Sequence, residues 1–198
     1  MNEPGSNLVA FPTRVTTMHA QRNAGFTLTE LMIALAAITV LLTIAIPSYR
    51  SAMAATEATA ARSAMQSSIM SSAQAALVRG QQVVLCPSTD QTTCSGEYDW
   101  SLGWIAFVDS NGDRARNPSE TRVFTHESIG VNARLISTTG RRRLVFQPNG
   151  GMAGSNVSFT LCDRRGPKRA LGLIFSNGGR LRTDTPTAPR IEEACAGL

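Results

Sequence analysis

Gly25-Phe26-Thr27-Leu28-Thr29-Glu30, continued by the apolar residues 31–46 and closed by Pro47, is the stretch that decides how the rest of the chain is read. Between Phe26 and Ile46 the only charge is Glu30. As a helix this run is roughly 32 Å long, about the hydrocarbon thickness of a bilayer. Nothing similar occurs later in the sequence, so a single anchor is expected. A secretory signal places its cleavage site after the apolar run, whereas here the polar leader ends before the run begins. A carboxylate at the edge of hydrocarbon is costly and marks a function or a partner, which singles out Glu30.

Beyond Pro47, residues 48–79 are rich in alanine and contain no glycine or proline. They are expected to continue the helix. Ala54, Ala58, Ala61, Met65, Ile69, Ala73 and Leu77 recur at spacings of three or four, giving one apolar stripe that would pack on the protein's own sheet. Arg79 suits a helix C-terminus and Gly80 the stop after it. From Gln82 onward the pattern changes to short strands, expected at 83–86, 104–108, 121–125, 134–137, 143–146, 157–162 and 171–175. Asn111-Gly112, Asn149-Gly150-Gly151 and Asn177-Gly178-Gly179 punctuate them as turns. The expected class is α+β, a long N-terminal helix packed on antiparallel β-structure. With 198 residues, 42% hydrophobic and 17% charged, the chain is neither a disordered acidic protein nor a multi-span membrane protein.

Gly25, Phe26-Thr27-Leu28, Glu30 and Pro47 together resemble the class III signal of type IV prepilins and type II secretion pseudopilins. The resemblance implies that a dedicated prepilin peptidase cuts after Gly25 on the cytoplasmic side and that the new amine of Phe26 is methylated. It also implies that Glu30 pairs with the N-terminal amine of a neighbouring subunit in a filament. An ammonium–carboxylate pair offsets the burial of both charges in an apolar bundle. A leader starting at Met1 is long for this family, and Met18 offers a shorter one; both starts stay open. The helix-then-strands order resembles the minor pilins of the fimbrial T type and the H pseudopilin of type II secretion. The implied organisation is a leader at 1–25, a transmembrane and filament-core helix at 26–47, an amphipathic helix at 48–80, and a β-rich globular domain with a C-terminal tail at 81–198. The anchor would be single-pass in a bacterial inner membrane with the C-terminal domain periplasmic, and the protein would enter a pilus filament or its tip beside other major and minor pilins.

The cysteines are Cys86, Cys94, Cys162 and Cys195. None forms Cys-x-x-Cys, and His126 is the only histidine outside the leader, so a structural metal site is not expected. In a periplasmic domain these cysteines form disulfides. Of three pairings open to four cysteines, Cys86–Cys94 would close a local loop on the first strand. Its companion, Cys162–Cys195, would tether a tail that is poor in apolar residues. Asp109, Asn111, Asp113, Asn117 and Glu120 fall at positions 1, 3, 5, 9 and 12 of a calcium-loop pattern, but Arg114 stands where that loop requires glycine. An Asn-Gly hairpin turn accounts for the same residues and is the expected reading. No catalytic motif is present, and neither an enzymatic activity nor a cofactor is expected.

Charge is unevenly distributed. Residues 26–133 carry six basic and nine acidic side chains, whereas residues 134–198 carry eleven basic and four acidic. Lys168 is the only lysine; every other basic residue is arginine, the residue best suited to bidentate pairing with phosphate or carboxylate. A one-signed block of this size points to an anionic partner. Gly179-Arg180-Leu181-Arg182 resembles the Gly-Arg-x-Arg motif of DNA-binding fimbrial T pilins. That resemblance implies sequence-tolerant contacts to DNA phosphates and a part in DNA uptake during natural transformation. On an extended segment Arg180 and Arg182 would share one face about 7 Å apart, with Arg164, Arg165, Lys168 and Arg169 expected as a supporting patch and Arg141, Arg142 and Arg143 as weaker candidates. The alternative is a structural minor pilin or H-type secretion pseudopilin that primes assembly without DNA.

Overall fold

The computed structural model describes residues 25–154 and 156–198; Met1, Met18 and the rest of the leader before Gly25 lie outside the described residues. Helix α1 runs Leu28–Arg79. Two compact units divide within it, between Leu42 and Thr43. In the first unit, the helix starts with the Thr27 hydroxyl accepting the Glu30 amide N–H at 3.2 Å, an N-cap that fits the Thr-x-x-Glu signature. From Phe26 to Leu42 every residue is exposed, and α1 is long and apolar enough to cross a membrane. The helix passes through Pro47, which has no N–H to give to the preceding turn; next to it the Ser48 hydroxyl donates to the Ile44 carbonyl at 2.8 Å.

The second unit carries two four-stranded antiparallel sheets. Strands β1 (Gln82–Pro87), β2 (Trp104–Asp109), β3 (Arg122–His126) and β5 (Leu144–Phe146) form one, in the order β3-β2-β1-β5. Strands β4 (Ala133–Ser137), β6 (Val157–Asp163), β7 (Leu171–Phe175) and β8 (Leu181–Asp184) form the other, in the order β4-β6-β7-β8. Alternation along the strands sorts their side chains. Val83, Leu85, Trp104, Ala106, Leu144 and Phe146 of the first sheet, with Leu135, Phe159, Leu161, Leu173 and Phe175 of the second, share one buried core with Ala58, Ala61, Met65, Ile69 and Ala76 of α1. Their neighbours Val84, Cys86, Ile105, Phe107 and Val145 make a second cluster on the opposite face of the first sheet.

Four of the aromatic residues meet at the seam. Trp104 lies 6.4 Å from Trp100, Trp100 5.4 Å from Phe159 and Phe159 5.9 Å from Phe175, so a chain of tilted rings links the two sheets. His126, at the end of β3, stacks on Trp104 at 4.1 Å.

The buried stripe of α1 departs from the expected one at its distal end. Ala54, Ala58, Ala61, Met65 and Ile69 are buried as expected, but Ser68, Ser72 and Ala76 continue the face, while Leu77 is 54% exposed and Ala73 only partly buried. A step of four residues overshoots one helical turn by about 40°, so the sequence 65-69-73-77 rotates off the sheet, whereas 65-68-72-76 keeps facing it. The two serines belong there because their hydroxyls are used. Ser72 donates to the Ser68 carbonyl at 2.7 Å, and Ser68 Oγ accepts the Trp104 indole N–H at 2.8 Å.

The C-terminal tail is also more ordered than its composition suggests. It forms β8 and then helix α2 (Ala188–Cys195), with Pro189 in the first turn. Cys162–Cys195 ties α2 to β6 with Cα atoms 5.4 Å apart, and Cys86–Cys94 closes the loop after β1 at 5.6 Å. Ala194 packs against Ile136 and Cys162 on the outer face of the second sheet. Arg134 donates to the Ala196 carbonyl and pairs with Asp99 at 3.0 Å, which holds the helix end to β4.

Ser68→Ala would leave the Trp104 indole N–H unpaired in the core. It should cost about 1–3 kcal/mol of unfolding free energy in chemical denaturation, while Ser68→Thr should recover most of the loss. Unchanged stability of the alanine variant would contradict the role given to this bond.

Candidate functional site

Strands β7 and β8 pair as a hairpin, with Phe175 opposite Leu181 and Ile174 opposite Arg182. The loop between them is not a two-residue Asn-Gly turn. The Gly179 amide donates to the Ser176 carbonyl at 2.8 Å, the Ser176 amide to the Arg180 carbonyl at 3.0 Å, and the Arg180 amide to Ser176 Oγ at 3.1 Å. This is a three-residue loop whose left-handed position falls on Gly179, at φ +77°. A residue with a Cβ is disfavoured there, which is the specific need for glycine ahead of Arg180. The loop is braced from the side: the Asn177 carbonyl accepts the Met152 amide N–H at 2.9 Å, and Asn177 Nδ2 donates to the Gly154 carbonyl.

Beyond the loop the chain alternates. Arg180 and Arg182 are exposed, while Leu181 between them packs against the core. Strand β8 is the edge of its sheet, so among the described residues no strand pairs with its outer side. Neither the Arg180 nor the Arg182 guanidinium makes a hydrogen bond or ion pair among the described residues. The row ends at Asp184, also exposed, so the positive pair belongs to the loop end of the strand. Arg141 stands beside this loop, its guanidinium close against Gly154 and donating to the Ala153 carbonyl at 3.4 Å. Arg143 donates to the Arg114 carbonyl at 2.8 Å, away from the hairpin.

The expected supporting patch is not beside the hairpin. Arg164 and Arg165 follow β6, and Lys168 and Arg169 sit in a 3-10 turn at Pro167–Arg169 before β7. Residues 164–169 therefore lie at the opposite end of β7 from the loop at 177–179. Gly178 and Gly179 border a groove along Ile69, Met70, Ala73 and Leu77 of α1, whereas Arg164, Arg165 and Arg169 border one along Pro47, Tyr49, Arg50 and Met53. Those two stretches of α1 are about 30–35 Å apart along the helix axis. Antiparallel reversal explains the difference: basics close in sequence are sent to the two ends of one strand.

Arg165 is also not free. Its Nε and Nη2 donate to Asp163 at 2.9 and 2.7 Å, and its backbone amide donates to Asp163 at 2.9 Å. Burial raises the Asp163 carboxyl, but the hydrogen bonds from the Arg165 side chain and amide outweigh it and hold the group below the usual carboxylate range. Arg165 is thus a clamp on the turn, while Arg164, Lys168 and Arg169 project to solvent. Arg50 joins them from outside the C-terminal basic block; its place just after Pro47 is the one local signal that points to it.

The loop at residues 110–121 replaces the hairpin turn expected at Asn111-Gly112. Buried Asp109 accepts the amides of Gly112 at 2.8 Å and Arg114 at 3.1 Å, and buried Glu120 accepts those of Ser110 at 2.9 Å and Asn117 at 3.0 Å. Hydrogen bonds from the Ala115 amide, then from Asn111 and Asn117, hold Asp113 below the usual carboxylate range. These carboxylates close the loop on its own backbone. Among the described residues no group of three His, Cys, Asp or Glu is placed to hold a metal ion.

At the other end of the chain, Gly25 and Phe26 are exposed ahead of α1, and Glu30 lies exposed in its first turn.

The model of the type II transport protein GspH family matches residues 61–179, and the prokaryotic N-terminal methylation motif matches residues 20–46. No curated protein gives a significant match in sequence. The solved type IV minor pilin FimU of Pseudomonas aeruginosa is similar over 68% of this chain and 90% of its own, at 14% identity and a TM-score of 0.50. The minor pseudopilin EpsH from the Type 2 Secretion System of Vibrio cholerae is similar over 66% of this chain and 98% of its own, at 11% identity and a TM-score of 0.46. The likeness to FimU is one of fold, a long helix against antiparallel sheets. With a family match over more than half of its length and the methylation motif at its start, the chain belongs to the GspH family and is a type IV pilin-like minor pilin of the GspH/FimT type.

Proposed function

We propose that this minor pilin binds duplex DNA without sequence preference through Arg180 and Arg182 and serves DNA uptake in natural transformation. The observation that carries the reading is the pair of exposed, unpartnered guanidinium groups on one face of an edge strand. Two such forks, about 7 Å apart, match neighbouring phosphates of one strand. Gly178 and Gly179 add no side chain to block a duplex, and a Cβ at either would meet no atom within 4 Å. Arg141 stands close enough to add positive potential, while Arg165 is committed to Asp163 and contributes little.

The same reading places the protein in the inner membrane by residues 26–47, with the globular domain periplasmic. It is cut after Gly25 by the prepilin peptidase, methylated on Phe26, and carried into a filament where Glu30 meets the terminal amine of a neighbouring subunit. The match to the type II transport protein GspH family supports a second reading, a structural pseudopilin or minor pilin that primes assembly and touches no DNA.

Arg180→Gln with Arg182→Gln in the full chain should lower duplex affinity about tenfold or more at low salt. Transformation should fall with it, while thermal stability and filament incorporation stay unchanged. Equal affinity of the double variant would refute the hairpin assignment, and absence of wild-type binding at low salt would leave the structural reading.

Mass spectrometry of the membrane-extracted protein should show an N-terminal peptide beginning at methylated Phe26; a retained leader would contradict the processing. Glu30→Ala should insert normally yet co-purify poorly with other pilins, since loss of one partner in a buried ion pair costs about 3–5 kcal/mol. Normal co-purification would count against the pairing.

A further inference from the structure

The arginine cluster at the other end of β7 has no part in the hairpin site. Arg50, Arg164, Arg165 and Arg169 surround an open cleft of roughly 950 Å³, completed by Pro47, Tyr49, Ser51, Met53 and Asn132. Lys168 stands exposed at its flank. Among the described residues no carboxylate lines the cleft, and two acids bonded to or adjacent to its lining residues are already engaged. Asp163 holds Arg165, and Glu57 accepts both the Asn132 amide at 2.9 Å and Asn132 Nδ2 at 2.7 Å. Arg50, Arg164 and Lys168 therefore remain exposed and make no hydrogen bond or ion pair among the described residues, while Arg169, also exposed, makes no hydrogen bond there and feels Asp163 only as a charge already paired with Arg165.

Where the cleft lies along α1 matters as much as its charge. It opens on the turn that follows Ile46, the last residue of the apolar run. Tyr49, 67% exposed, and Arg50 occupy the place where aromatic and basic side chains anchor a helix at a membrane surface. Met53, 39% exposed, extends an apolar floor beside them.

We propose that this cleft docks anionic phospholipid headgroups, so that the globular domain rests on the membrane through Arg50, Arg164, Lys168 and Arg169 while the protein awaits assembly. The proposal rests on the reading of residues 26–47 as the membrane anchor. Basic residues held within a Debye length of an anionic leaflet are attracted to it additively, and guanidinium forks pair bidentately with phosphodiester oxygens. The hairpin arginines, about 30–35 Å farther along α1, are left free for DNA. Withdrawal from the membrane into a filament would break the headgroup contacts, so the cleft biases the protein toward its membrane-resident state.

Because Lys168 is the chain's only lysine, its amine reports on the cleft without any engineered probe. The full chain is placed in nanodiscs of phosphatidylcholine alone or of phosphatidylcholine with phosphatidylglycerol, and Lys168 is modified with a neutral amine-reactive ester. Labelling should be about fivefold or more slower in the anionic discs. Arg50→Gln with Arg164→Gln and Arg169→Gln should restore it there. Equal rates in the two discs, or protection that survives the triple substitution, would overturn the proposal alone. Protection in neutral discs by millimolar inorganic phosphate would replace the lipid surface by a free-phosphate site. Protection there by a short duplex would move the DNA site to this cleft and overturn both assignments. A chain that enters neither kind of disc would overturn the anchor reading and this proposal with it.

Discussion

The bond from the Trp104 indole N–H to Ser68 Oγ, 2.8 Å long and fully inside the protein, marks the constraint on which the globular unit depends. Two sheets and one helix share a single core, so the helix must present the same face over six turns. Small residues at 54, 58, 61, 68, 72 and 76 run along the buried face of the helix, and Met65 and Ile69 project from it into the shared core. A helix hydrogen-bonded to the indole cannot rotate without leaving that N–H bare. Trp104 in turn leads through Trp100 to Phe159 and Phe175, so the position of the helix, the first sheet and the second sheet are set together.

From that arrangement follows the separation of charge. Strand β7 crosses the second sheet once, with arginines in the turn that precedes it and just past the loop that follows it. One turn lies level with residues 47–53 of α1, where the apolar run has just ended, and the other level with residues 69–77. The basic block in the sequence is thus spread out, and two groups of its residues stand at opposite ends of β7. Each is proposed to meet a different polyanion, a leaflet at one pole and a duplex at the other. Arg165 shows that charge alone does not define either site, since its fork is closed on Asp163.

The long helix and the strands with clear alternation were legible because their signals are local, periods of 3.6 and 2; Cys86–Cys94 closes a local loop, while Cys162–Cys195 joins residues 33 apart and was expected only as the tether of an apolar-poor tail. Three features were not. Ser68 and Ser72 look polar to any hydrophobic pattern, and only the indole opposite explains their burial. Strand β8 is exposed on nearly every residue and is held by main-chain pairing to β7, and the single apolar Leu181 is too short a pattern to mark a strand. Helix α2 is held by Cys162–Cys195, Ala194 and Arg134, none of which is a helix signal. The Gly179-Arg180-Leu181-Arg182 motif kept its expected geometry because it is local to one hairpin. The patch at 164–169 did not, because its distance from the hairpin is a property of the sheet.

The central claim, that a DNA duplex is held at the hairpin and not at the opposite pole, is tested most directly by the salt dependence of duplex affinity. The full chain in detergent would be titrated across a salt series as wild type, as the Arg180→Gln, Arg182→Gln variant, and as the Arg50→Gln, Arg164→Gln, Arg169→Gln variant. The slope of log affinity against log salt falls by about 0.9 for each phosphate that a variant no longer neutralises. The hairpin variant should therefore lose about two units of slope, and the opposite-pole variant almost none. The reverse pattern, with slope reduced at the opposite pole and kept at the hairpin, would contradict the claim.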